Sequence, residues 1–174
     1  MSPLSVILGI DPGLCSTGWA VISAPVGKNK PRALAYGVIK TKASDPLNTR
    51  LEEIHDGLAA VIERYQPTGA AIEGVYFGLN AKTALTLGQA RGVAILATAQ
   101  RGLALGEYPP ATIKQTIVGT GQAEKEQITY MVRQLLQLDH DPQPDHCADA
   151  LATALTHLTH IQMPTGVPKK ELRT

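Results

Sequence analysis

At 174 residues the chain has the length of one ordinary domain, and a composition 44% hydrophobic and 18% charged excludes a disordered or collagen-like polymer. A balance of 16 Lys plus Arg against 15 Asp plus Glu leaves a formal net charge of +1, which neither requires nor excludes nucleic acid, because a basic face can be offset by acidic groups elsewhere. Cys15 and Cys147 belong to no zinc-ligand spacing and read as reduced thiols. The start lacks the basic region of a signal peptide, and the apolar helix around Val93 to Ala99 is too short to span a bilayer. A cytoplasmic protein without membrane contact is expected.

Leu4 to Ile10 is an apolar, β-branched run, the pattern of a central strand buried on both faces, and Asp11-Pro12-Gly13 ends it. Thr17 to Ile22 and Ala33 to Ile39 read as two further strands, and the three together suggest an antiparallel meander. Leu47 to Tyr65 reads as a helix, because Leu51, Ile54, Leu58, Val61 and Ile62 recur at three- and four-residue spacing. Gly69 to Ile72 is a short buried strand that delivers Glu73. After Gly74 to Leu79, Asn80 caps a long helix running to about Arg101. Its Gly88 and Gly92, one turn apart, point to close helix packing or to a dimer contact. Leu103 to Tyr108 reads as the fifth strand, ended by Pro109-Pro110.

Helices follow over Thr112 to Val118 and from Ala123 to Leu138. For the last helix, reaching about Ile161, Asp141 reads as the N-cap, Pro142 as the first helical residue and Pro144 as a first-turn residue. This order predicts an α/β protein with a mixed five-stranded sheet and helices on both faces, matching the ribonuclease H-like fold. One domain is expected over residues 1–163. Residues 164–174 lack apolar periodicity and read as a disordered tail.

Asp11 closes a central strand, where open α/β sheets gather their ligands, although an aspartate there can also cap its own turn. Glu73 closes the second buried strand. Alone it reads as an exposed strand-end glutamate; if the two strands are neighbours, the pair converges, and two such charges favour a cation between them. His146 and Asp149 are three apart on the last helix and share a face, which Asp145 shares with Asp149. Asp145 also suits the helix dipole. Hard oxygen ligands at a phosphodiester suit Mg²⁺ or Mn²⁺. Two such ions about 4 Å apart can activate a water and stabilise the leaving oxygen, so no covalent protein nucleophile is needed.

The segments LGIDPGLCSTGWAVI, AAIEGVYF, NAKTALTLGQARGVA, IKQTIVGTGQAEK and DHCADALATALTH stand in this order. From Leu4 to His160 they resemble the RuvC family of Holliday-junction resolvases, and five motifs in order are far more specific than one. The resemblance implies metal ligands at Asp11, Glu73, His146 and Asp149, with Asp145 as an alternative ligand or as the group that orients His146. It implies lysines near the scissile phosphate at Lys114 and Lys125. It places the family's junction-centre aromatic at Tyr76, with Phe77 beside it, either stacking on unpaired bases or packing as core. Lys82 and Arg91 are weaker phosphate-contact candidates, and His157 and His160 read as surface histidines. The resemblance further implies a homodimer that nicks two like-polarity strands of a four-way DNA junction in recombination and repair, with RuvA and RuvB as its branch-migration partners.

Two other classes compete with this reading. The Gly-Ile-Asp-Pro-Gly motif also resembles the phosphate loop of actin-like ATPases, but 174 residues are too few for their two lobes. A junction-binding scaffold without catalysis would lack a carboxylate, and none is missing.

Overall fold

The computed structural model describes residues 4–25, 30–74 and 80–162, which form β1 (Leu4–Asp11), β2 (Ser16–Pro25), β3 (Arg32–Lys40), α1 (Leu47–Tyr65), β4 (Gly69–Glu73), α2 (Ala81–Ala99), β5 (Leu105–Tyr108), α3 (Pro110–Val118), α4 (Lys125–Leu136) and α5 (Asp145–Gln162). The expected disordered tail at 164–174 lies outside these residues.

The strands form one sheet in the order β3-β2-β1-β4-β5. The β1–β2 and β2–β3 pairs are antiparallel, while β1–β4 and β4–β5 are parallel. This is the mixed five-stranded α/β arrangement expected. β1 lies at the centre, and its alternate side chains feed two cores. Leu8 and Ile10 pack with Ile54, Leu58, Ile62 and Ala94 of α1 and α2. Ile7 packs on the opposite face with Ile113, Val132, Leu151 and Leu155 of α3, α4 and α5.

Local signals set the helix ends. Asn80 Oδ1 accepts the Thr83 N–H at 2.9 Å, the expected cap of α2. At α4 the Glu124 N–H donates to Gln127 Oε1 at 2.9 Å, half of a capping box. Gln66 and Gln137 end α1 and α4 in the left-handed region, with φ of 47° and 54°. The last helix departs from expectation: it starts at Asp145, so Asp141 is not its N-cap and neither Pro142 nor Pro144 lies within it. Asp141 and Gln143 each precede a proline, whose ring disfavours the helical conformation of the residue before it.

Two glycines let α5 rest directly on the sheet. A Cβ on Gly9 of β1 would stand 2.1 Å from the Ala150 carbonyl oxygen, and one on Gly18 of β2 would stand 2.2 Å from that of His146. Strand and helix backbones therefore touch here, and this contact fixes the height of α5 above β1.

Among the described residues Gly88 and Gly92 mediate no packing, since a Cβ on either would meet nothing within 4 Å. The buried stripe of α2 is formed by Ala90, Ala94, Ala97 and Thr98 instead.

Candidate active site

The site grows from the two-residue period of the central strands. Asp11 lies two residues beyond Gly9 on β1 and so faces α5. Glu73 lies on the corresponding side of β4, whose Ala70 and Ile72 face the opposite core. Because β1 and β4 are parallel neighbours paired from Ile7↔Gly69 to Ile10↔Ile72, both carboxylates emerge at the same sheet end. That end is where loops and ligands gather in parallel arrangements.

α5 supplies the other wall. His146 Nδ1 lies 2.7 Å from Asp11 Oδ2. One ligand atom from each of Asp11, His146 and Asp149 falls within 4.8 Å of the others, a grouping able to hold a metal ion. Glu73 and Asp149 line a cavity of about 240 Å³ with Lys114 and Lys125, against an apolar wall that includes Ile113 and Ile128. Lys125 Nζ stands 3.2 Å from Asp145 and 3.4 Å from Asp149.

The charges oppose one another. Burial, then the nearby Asp11 and Asp149 carboxylates, push Glu73 up to about 7, while Lys114 and Lys125 pull the other way. Burial, followed by Asp11, also raises Asp149, and Lys125 and His146 offset part of this. The hydrogen bond to Asp11 raises His146 against the opposing effect of burial. Burial pulls Lys125 down, but Asp149 and Asp145 outweigh it and leave the amine raised. Clustered carboxylates that resist ionisation are relieved by a divalent cation.

Several expectations need correction. Asp145 neither joins the grouping nor orients His146; its carboxylate holds Lys125, since it leaves the helix one residue earlier and points toward α4. Arg91 is engaged: it donates to the Glu73 backbone carbonyl at 2.6 Å and pairs with the Glu107 carboxylate, so it is not free for phosphate. His157 is buried, not superficial, with Nδ1 2.9 Å from the Tyr108 hydroxyl. His160 is exposed, as expected. Lys82 is exposed on the first turn of α2, and Tyr76 and Phe77 lie outside the described residues. Cys147 is fully buried, and that burial pushes its thiol up to about 11, away from the reactive thiolate form. Sequence reasoning misses Glu107, because a strand glutamate 16 residues from its arginine has no local signature.

The family model described as crossover junction endodeoxyribonuclease RuvC matches residues 7–157. The chain belongs to the RuvC family. The Treponema pallidum crossover junction endodeoxyribonuclease RuvC is 50% identical over 157 residues, covering 90% of this chain and 79% of its own length. The Heliobacterium modesticaldum RuvC is 49% identical over 150 residues, 86% of this chain and 91% of its own. Thermus thermophilus RuvC in complex with a Holliday junction substrate aligns with a TM-score of 0.86 at 37% identity, covering 91% of this chain and 95% of that one. A yeast mitochondrial Holliday junction resolvase, 12% identical with a TM-score of 0.60, shares the fold. Among the described residues, no helix is long and apolar enough to cross a membrane.

Proposed function

We propose that this chain resolves four-way (Holliday) DNA junctions by paired, symmetric phosphodiester hydrolysis in recombination and repair, with Mg²⁺ as its cofactor and Mn²⁺ as a substitute. The observation that carries this reading is the convergence of Asp11, His146 and Asp149, with Glu73 and two lysines beside them, in a RuvC-family chain. Three carboxylates and one imidazole form a donor set suited to these hard cations, and the raised Glu73 and Asp149 fit a site built for added positive charge.

Asp11, Glu73, His146 and Asp149 would hold the ions. When bound, these would supply an activated water and neutralise the charge building on the phosphate and the leaving oxygen. The protein's own contribution is positional. Asp11 orients the His146 ring through the 2.7 Å hydrogen bond. Lys114 and Lys125, at the rim of the cavity, hold non-bridging phosphate oxygens. Asp145 keeps the Lys125 ammonium docked beside Asp149. Tyr76 and Phe77 serve the junction centre by stacking, and Lys82 extends the phosphate track.

The enzyme acts as a homodimer, whose twofold axis matches the pseudo-twofold of an open junction. Support comes from α2, where Leu85 and Leu96 are 65% and 50% exposed. They lie eleven residues apart, on one side of the helix, with the open Gly88 and Gly92 between them. RuvA and RuvB are its partners and the cytoplasm its compartment.

The deciding experiment is cleavage of a synthetic four-way junction and of a matching linear duplex, each strand end-labelled in turn, with Mg²⁺, Mn²⁺ or EDTA. Paired symmetric nicks on the junction alone, abolished by EDTA, are expected. Tight junction binding without cutting under either metal would instead make the chain a scaffold.

A further inference from the structure

Glu73 stands where β4 leaves the sheet, and its peptide is gripped from two sides. The N–H of Gly74 donates to the Tyr108 carbonyl on β5 at 2.8 Å. The Glu73 carbonyl accepts from Arg91 Nη1 at 2.6 Å. The second terminal nitrogen of Arg91 bonds the Glu107 carboxylate. Arg91 reaches this point from α2, which packs on the sheet face opposite α5. Gly106 of β5 faces His157 of α5, so the next residue, Glu107, faces the α2 side and meets Arg91 there.

The guanidinium is largely withdrawn from solvent, its side chain 11% exposed. Glu107 is 57% exposed, so solvent screens its pair with Arg91 and the part-buried bond to the Glu73 carbonyl carries the grip, while a planar fork satisfies two acceptors at a fixed angle where an ammonium cannot. A phosphate would have to displace Glu107 and approach a carboxylate, so DNA contact is a poor use of this side chain.

We propose that Arg91, itself held by Glu107, is a positioning residue that fixes the backbone of Glu73 and so aims its carboxylate into the site from behind the sheet. The inference rests on Glu73 acting as a metal ligand. Misplacing a catalytic group by about 1 Å is enough to cost about a hundredfold in rate, which is why one strand-end carbonyl matters.

The test measures Mn²⁺ binding by electron paramagnetic resonance of the free ion, alongside junction binding in EDTA, for Arg91→Met, Arg91→Lys, Glu107→Gln and Glu73→Gln. Arg91→Met should weaken Mn²⁺ binding about 10- to 100-fold, the range for groups that support a metal ligand, and leave junction binding unchanged. Arg91→Lys should recover part of the loss by restoring one donor to the carbonyl, and it decides the matter if the Met variant does not fold. Glu107→Gln should cause a smaller loss of the same kind. Unchanged Mn²⁺ affinity in both Arg91 variants, with Glu73→Gln weakened, would overturn the positioning role alone. Weakened junction binding with normal Mn²⁺ affinity would make Arg91 a DNA contact. Should Glu73→Gln itself bind Mn²⁺ normally, the ligand role of Glu73 falls and Arg91's role goes with it.

Discussion

His146 Nδ1 and Asp11 Oδ2 lie 2.7 Å apart although 135 residues separate them in the chain, so the first strand and the last helix meet at the site through one hydrogen bond. The bond places an imidazole and a carboxylate on the same small volume as Asp149. Removing the charge of Asp11, Glu73 or Asp149 tests this arrangement without changing its shape. Asp11→Asn, Glu73→Gln and Asp149→Asn should each lower junction cleavage by more than the about 10- to 100-fold that follows loss of a merely supporting group. Junction binding in EDTA, measured by gel shift, should persist. Joint loss of binding and of the folded circular-dichroism signal would make these residues structural.

His146 and its neighbour Asp145 separate cleanly. His146→Ala removes a proposed ligand and the partner of Asp11, and cleavage should fall severely. Asp145→Ala removes only a solvent-exposed ion pair with Lys125, worth about 0–1 kcal/mol, so cleavage should fall by no more than about fivefold. Single-turnover rates on one junction at saturating metal check the order, and the reverse order would exchange the two roles.

The electrostatics of the site predict a pH dependence of stability. Folding raises Glu73 from the ordinary 4.5 to about 7, and raises Asp149 and His146 as well. The folded chain then holds more protons than the unfolded chain between the ordinary and the raised values, so stability falls as pH climbs through that window. Melting in EDTA should therefore occur at lower temperature at about pH 8 than at about pH 5, against the opposite contribution of His157, which burial lowers. Mg²⁺ competes with those same protons, so its stabilising effect should be larger at the higher pH. Differential scanning fluorimetry reads both trends, and Glu73→Gln should flatten each. A metal-induced rise in Tm that is greatest at low pH would contradict the assignment.

The contact between α5 and the sheet is steric and correspondingly sensitive. Gly18→Ala drives a methyl group into the His146 carbonyl, and Gly9→Ala drives one into that of Ala150. Overpacking of this kind costs about 1–3 kcal/mol, to be measured by urea denaturation. At Gly18 the displaced residue is His146, a proposed ligand, so Mn²⁺ affinity should drop beyond what the stability loss explains.

The proposed homodimer carries a fifth prediction. Leu85→Glu should place charge on the open face of α2 and shift the protein to monomer in light scattering, while Mn²⁺ binding per chain stays normal. A dimer that survives this change uses another surface.

Much of this architecture was legible because the physics is local. The spacing from Leu51 to Ile62 defines α1 from Leu47 to Tyr65, and Asn80 marks the start of α2 through its cap. Asp11 and Glu73 stand out because each ends an apolar strand. What escaped is settled in three dimensions. The start of α5 depends on two prolines acting on the residues before them. The burial of His157 depends on β5 lying across its helix, and Asp145 turns to Lys125 because α4 happens to pass there. Arg91 and Glu107 meet only after α2 and β5 are both in place.

The contact of α5 with β1, β2, β3 and β4 has a consequence for how the enzyme comes into being. The helix that carries His146 and Asp149 is made after every strand of the sheet. A nascent chain still tethered to the ribosome through α5 carries Asp11 and Glu73 on the sheet before His146 and Asp149 can join them. The proposed metal site is thereby completed only when α5 has left the ribosome and docked on the sheet.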